Sequence, residues 1–372
     1  MRRDDLIRKF IMEHGNDIKE SASKQTGNPF FESKWAEDDW DEHLYSVNEN
    51  GYMIEMTMEE TLSVKKKFKR GEIGNKIDYS QIALKIRPFD VFQAFFPYSN
   101  EPDIFSIRPV IAVPVGLRDY RFMMVTKGKN TDPVYRVYET PLSHMRKFSL
   151  PFSSYARTNI VRDSSSLIFI GNARYYGSLT DDDIEGIHNA RTRYVDDLFI
   201  NPIAFMYWCL ENKVQDTIPL YGNNNNVNPI QDIEDIKHTK RANCIDLAIA
   251  SYKMARGCSI ISDATIGIVR WIIGPNKTSE YVFMLFNYKG KIYAFDYDQY
   301  NYVGEFPSFK TQSFEQAAEI YSNNIKRLQS DVKVRNLSRD KQLVYILNNK
   351  ALNDLDYTYE YNSQFDWLYT II

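Results

Sequence analysis

Between residues 85 and 175 the chain runs through a series of short apolar segments. IRPFDVFQAFF, RPVIAVPV, YRFMMVT, VYRVYE and SSSLIFIGNA are β-branched or aromatic, and Pro, Gly, Asp and Asn separate them. That punctuation predicts strands. Strands this close, with little helix between them, predict a small antiparallel barrel or sandwich. Pro114 interrupts one of the segments, and a proline fits poorly in a central strand.

The flanks differ in character. Leu6, Phe10 and Ile11 stand at helical spacing and predict a short first helix. Trp35, Trp40 and Tyr45 then alternate with acids, and VKKKFKRGE (64–72) forms a basic run. Such a run is either a solvated helix face or an anion-contacting patch. A second helix is predicted to open near Ser178, with Thr180 as N-cap and Asp181, Asp182 and Asp183 complementing the dipole. The stretch YGNNNNVNPIQDIED (221–235) reads as a linker, because four consecutive asparagines favour neither helix nor strand. From residue 240 the predicted order is a helix (AIASYKMAR), two strands (GIVRWII, EYVFMLF), a Lys289-Gly290 turn into KIYAFDY, and the amphipathic helix FEQAAEIYSNNIKRL. The last 40 or so residues are expected to be helical, ending in an aromatic tail.

Composition narrows the function classes. With 372 residues and 43% hydrophobic content the chain can build more than one core, and a formal charge of −3 gives no global field for nucleic acid or anionic lipid. No segment approaches the roughly 20 apolar residues of a membrane span, and MRRDDLIRKF has no secretory h-region, so no membrane association is expected. The three cysteines, Cys209, Cys244 and Cys258, are too sparse for a disulfide framework and suit a reducing, cytoplasmic setting. Neither they nor the five scattered histidines make a zinc template, so no metal and no cofactor are expected. The 26 Tyr and 22 Phe suit a broad contact surface, or reflect compositional drift alone.

The ordered segments of the middle region resemble the PemK/MazF family of toxin endoribonucleases. The resemblance rests on IRPFDVFQAFFPYS, on Ile107-Arg108-Pro109-Val110-Ile111, on Phe122-Met123-Met124-Val125-Thr126, and on Gly177-Ser178-Leu179-Thr180. It implies an SH3-like barrel in which Arg108 and Thr126 carry metal-independent RNA cleavage. A guanidinium can hold phosphate oxygens bidentately, and a threonine can donate to a phosphoryl oxygen. From the residues alone, Arg108 could equally begin a strand and pair with Asp103 or Asp90, and Thr126 could open a turn before Lys127-Gly128. The same barrel without activity would be a binding module.

Farther on, Arg241-Ala242-Asn243-Cys244-Ile245-Asp246-Leu247-Ala248 resembles the cysteine-bearing helix start of transglutaminase-like and papain-like domains. Tyr281 to Phe286, the Tyr288-Lys289-Gly290-Lys291 turn, Ala294-Phe295-Asp296 and Val303-Gly304-Glu305-Phe306 follow in that family's order. The resemblance implies Cys244 as nucleophile at a helix N-terminus, where dipole and free N–H groups favour a thiolate and an oxyanion. Asp296 fits the orienting carboxylate, but Tyr281 holds the position of the histidine base. A phenol is a poor base at neutral pH. Three accounts follow: a pseudoenzyme that binds a peptide or partner, a rescue by His238, or a core thiol at Cys244.

The expected fold class is therefore α+β and multidomain. It comprises a charged, mostly helical region (1–80), the small antiparallel barrel (81–195), a helix and Asn-rich linker (196–235), a transglutaminase-like domain (236–330), and a C-terminal helix with tail (331–372). The expected function is a binding or assembly module on two degenerate enzyme folds, similar to phage or mobile-element accessory proteins. A protein or peptide partner is expected, with RNA as partner if the barrel is active. The alternatives are a ribonuclease through Arg108 and Thr126, or a cysteine hydrolase or acyltransferase through Cys244.

Overall fold

The computed structural model describes residues 2–24, 45–47, 53–55, 86–97, 105–116, 119–127, 132–143, 153–162, 175–212, 214–216, 231–275, 277–296, 306–328 and 332–347. It is mixed α and β, with two larger antiparallel sheets, and divides into two compact units, Met1–Asp196 and Asp197–Ile372. The Trp35 and Trp40 island, the 64–72 basic run, the 223–226 asparagines, the SSSLIFIGNA segment and the aromatic tail lie outside the described residues. Among the described residues no helix is long and apolar enough to cross a membrane.

The first unit is built on a six-stranded antiparallel sheet. Its strands are β3 (Asp90–Pro97), β4 (Phe105–Gly116), β5 (Asp119–Lys127), β6 (Glu139–Leu142), β7 (Ser154–Arg162) and β8 (Tyr175–Ser178), in the order β6-β7-β5-β4-β3-β8. A separate hairpin pairs β1 (Tyr45–Val47) with β2 (Met53–Glu55). The six strands make a curled half-barrel, not a closed one, since β6 and β8 stand at opposite edges of the order. The segment expected as a strand at 134–139 instead begins with a 3-10 turn at Pro133–Arg136. Pro133 fixes the first turn, and Asp132 C=O accepts from Tyr135 N–H, so β6 starts only at Glu139.

Pro114 sits in a central strand, contrary to expectation, and both it and Pro109 have a paired neighbour on one side only. Pro109 pairs with Gln93 of β3, while the β5 register starts at Val110. Pro114 pairs with Tyr120 of β5, beyond the end of the β3 register at Ile111. A missing N–H therefore costs no ladder bond to the absent neighbour.

The first helix, α1 (Arg3–Lys24), is much longer than the short helix expected. Leu6, Phe10, His14 and Ile18 recur every four residues and are buried, so one face turns inward along much of its length. It lies across β4, β5 and β7 and shares a core with Val91, Ile111, Val113, Met123 and Val125. Gly15 permits the close approach: a Cβ there would stand 3.0 Å from Val115 C=O. The second helix, α2 (Asp181–Asp197), opens as expected. Asp183 N–H donates to Thr180 Oγ1, and the Thr180 hydroxyl donates back to the Asp183 carboxylate. Arg191, fully buried, ties the unit together. Its guanidinium donates to Asp17 of α1 and to the Thr158 carbonyl of β7.

The second unit carries a five-stranded antiparallel sheet. Its strands are β11 (Ile261–Gly274), β12 (Lys277–Tyr288), β13 (Lys291–Phe295), β14 (Ser308–Phe309) and β15 (Gln342–Ile346), ordered β14-β13-β12-β11-β15. The turn joining β12 to β13 places Lys289 (φ 52°) and Gly290 (φ 75°) in left-handed conformations, which suit a two-residue hairpin. Two short strands, β9 (Gln215–Asp216) and β10 (Arg241–Ala242), pair in parallel. Among the described residues its helices are α3 (Pro202–Asn212), α4 (Ile233–Thr239), α5 (Cys244–Gly257), α6 (Phe314–Leu328) and α7 (Val332–Arg335). Residues 342–346 form a strand where a helix was expected. Val344 and Ile346 pack on the core while Leu343 is exposed, a period of two. Trp271 Nε1 anchors this strand to Gln342 Oε1 at 3.1 Å, and Gln342 Nε2 donates to Ser322 Oγ of α6 at 2.7 Å.

Candidate functional site

Cys244 is the first residue of α5, and the local sequence dictates this. Asn243, extended at φ −99° and ψ 178°, is the N-cap; its side chain accepts from Ile245 N–H and Asp246 N–H. Asp246 returns the contact by accepting from Asn243 N–H at 3.0 Å, which completes a capping box. Asp246 also accepts from Gln231 N–H and is buried. The cap has a chemical consequence. Two first-turn N–H groups are already satisfied, and a carboxylate offsets part of the positive helix end. Less of that end is left for an oxyanion than in an uncapped helix.

The helix lies against β11 and β12, and Cys244, half-buried, packs on the apolar cluster that includes Tyr281, Leu285 and Ala294. Tyr281 sits on β12, paired with Val269. Its hydroxyl donates to Asp296 Oδ1 at 2.5 Å, and Asp296 follows the end of β13. The other carboxylate oxygen, Oδ2, accepts from the Tyr321 hydroxyl of α6. All three residues are buried. The fold thus joins two of the expected site residues, Tyr281 and Asp296, by a direct hydrogen bond, and seats Cys244 on the cluster that Tyr281 helps build.

Tyr321 was not foreseen. The spacing of Ala317, Ala318, Tyr321 and Ile325 marks an inward helix face, but nothing in that pattern says that a phenol there meets a carboxylate 25 residues away. His238 is exposed on the last turn of α4. No protein-family model matches this chain, and no curated protein matches it in sequence.

The other two thiols are set apart by their surroundings. Cys209 is fully buried in α3, and burial pushes it well above the usual thiol range, against the pull of Lys240. Cys258 is also raised, first by burial, although N–H groups of Ile260 and Ile261 oppose the shift.

In the first unit, Arg108 and Thr126 fall on the adjacent strands β4 and β5. Arg108 pairs with Ala94 of β3, and its side chain lies outside the described residues. Thr126 pairs with Tyr155 of β7 and has no exposed surface. A cleft in the same unit is lined by Arg3, Asp4, Arg8 and Arg87 together with Pro114 and Tyr120, and Arg3 is paired with Asp181 at 3.1 Å.

A separate cluster spans α1 and α2. His14 and His188 are buried, with ring centroids 4.9 Å apart, and His188 Nε2 meets Glu13 Oε2 at 2.6 Å. Burial holds His14 down at about 4, helped by His188 and the Arg191 guanidinium and opposed by Asp17 and Glu13. Sequence reading missed this group because its members come from two helices far apart in the chain.

Proposed function

We propose that the chain is a binding or assembly module in which the second unit keeps a transglutaminase-like framework without its amide chemistry. One observation carries this reading: each oxygen of the buried Asp296 accepts a tyrosine hydroxyl. In a working cysteine domain the carboxylate orients an imidazole, which takes the thiol proton and later delivers it to the leaving amine. Here the carboxylate is engaged by phenols, which hold their protons at neutral pH. Without a shuttle, the loss is the general acid–base contribution, roughly 10²–10⁴-fold. The Asn243 cap supports the same reading, since it satisfies N–H groups that an oxyanion could use. What remains is a half-buried thiol on an aromatic cluster, suited to contact more than to turnover.

The test compares wild type with Cys244→Ala for release of ammonia from glutamine side chains and of amine from peptide amides. We expect no difference above background. Cys244-dependent turnover would overturn the proposal, and loss of that turnover in His238→Ala would identify the base.

A second reading, RNA contact by the first unit, is favoured by the arginine-lined cleft. Guanidinium groups bind phosphate oxygens in fork geometry. Weakened binding of single-stranded RNA by Arg8→Ala and Arg87→Ala would support it, and equal binding would remove it. Metal-independent cleavage lost in Arg108→Ala would restore the ribonuclease alternative.

A further inference from the structure

We propose that Glu13, His14 and His188 form a site for one borderline divalent cation of the Zn²⁺ class, clamping α1 to α2. One donor atom from each residue lies within 4.8 Å of the others. Tetrahedral donors around Zn²⁺ stand about 3.4 Å apart, as bond lengths near 2.1 Å require. Closing onto an ion therefore asks for side-chain shifts of roughly an ångström.

Hydrogen bonding around His14 supplies an independent reason. The Thr192 hydroxyl donates to the His188 carbonyl at 3.0 Å. Its oxygen then accepts from His14 Nε2, 3.2 Å away. That arrangement fixes the tautomer with hydrogen on Nε2 and leaves Nδ1 as a lone pair. Nδ1 is buried and has no hydrogen-bond partner, and His14 is only 3% exposed. A buried bare lone pair is costly unless something binds it. A ligating imidazole whose other nitrogen is held by a neighbour is the usual state in metal sites.

Glu13 and His188 supply the rest. Glu13 Oε2 and His188 Nε2 meet at 2.6 Å, and a cation would take the place of the hydrogen between them. Two imidazoles and one carboxylate form a mixed N/O set that suits Zn²⁺ and its neighbours better than Mg²⁺ or Ca²⁺. Three protein donors leave a fourth position for water. The Glu13 side chain is 44% exposed, so that position has a path to solvent. Phe10 lies edge-on to both imidazoles, and Phe89 packs edge-on to Phe10 behind it. Two cations stand nearby: Arg191 is paired with Asp17 at 2.5 Å, and Lys9 Nζ lies 4.0 Å from Glu13 Oε1, at the exposed end of the site.

The test uses the full chain, stripped by chelator, dialysed, and loaded with Zn²⁺ or with Co²⁺ as a spectroscopic probe. We expect one retained equivalent of Zn²⁺ by elemental analysis, and visible d–d absorption from Co²⁺ that Zn²⁺ abolishes. Glu13→Gln and His188→Gln should each weaken Zn²⁺ binding at least roughly tenfold. His238→Ala, at an exposed histidine, should leave it unchanged. Glu13 is partly exposed, so Glu13→Gln should keep its fold, and circular dichroism of each variant checks this. Failure of folded wild type to retain Zn²⁺, or equal retention by folded Glu13→Gln, would overturn the proposal.

Discussion

Tyr281 on β12 donates its hydroxyl to Asp296, and the two side chains lie buried beside the helix that begins at Cys244. One hydrogen bond thus joins a strand to a strand end, next to the cluster on which Cys244 packs. Removing the hydroxyl in Tyr281→Phe leaves a buried carboxylate with one donor fewer. Hydrogen bonds to charged groups contribute about 1.5–3 kcal/mol. Urea denaturation should show a loss of about 2 kcal/mol for Tyr281→Phe and a similar loss for Tyr321→Phe. A neutral result for both would mean that the carboxylate is held by other groups.

The thiols should separate by reactivity. Cys209 and Cys258 are both raised, chiefly by burial, whereas Cys244 is half-buried at a helix start. The thiolate is the reactive form. Iodoacetamide at pH 7.5, followed by peptide mass mapping, should modify Cys244 first and Cys209 only after unfolding. Early labelling of Cys209 would contradict the burial described for α3.

Gly267 should not tolerate a side chain. A Cβ there would lie 2.6 Å from the Phe283 ring, which is itself buried and edge-on to Tyr321. Overpacking of this kind costs about 1–3 kcal/mol. Gly267→Ala should lower the denaturation midpoint of the second unit. Gly257→Ala, where a Cβ meets nothing within 4 Å, serves as the control.

Acid should weaken the first unit through His14. Its folded value, about 4, lies below the ordinary 6.5, so the unfolded chain takes up a proton that the folded chain refuses. Stability is complete above pH 6.5 and declines as pH falls toward 4, by on the order of 3 kcal/mol in total. Burial is the main cause; His188 and Arg191 add to it, while Asp17 and Glu13 oppose it. Denaturation in EDTA between pH 6.5 and 5 should show the decline in wild type and a flatter profile in His14→Gln. Identical profiles would remove His14 as the cause.

The sequence was informative where patterns are local. Asn243-Cys244 was legible as a helix start and Lys289-Gly290 as the hairpin turn, whereas the capping box between Asn243 and Asp246 was not foreseen. Thr180 was readable as a cap for the same reason. It was silent where contacts are distant. Tyr321 meets Asp296, and Glu13 meets His188 across 175 positions, and no spacing rule connects such residues. It misled at Pro133, where aromatic and β-branched neighbours imitate a strand, and at residues 342–346, where pairing with β11 overrides the helix expectation.

The burial of α1 has a consequence for how the chain folds. Leu6, Phe10 and Ile18 belong to a core completed by Ile184 and Ile187, and Asp17 waits for Arg191, 174 positions later. During synthesis α1 emerges long before the helix that fastens it. Its apolar stripe must then stay uncovered, or be held by a chaperone, until β4, β5 and β7 arrive, and it is fastened only when α2 follows. Contacts this distant slow folding and prolong exposure to aggregation. A circular permutant that joins α1 directly after α2 would remove the delay, and it should refold faster while keeping the same core.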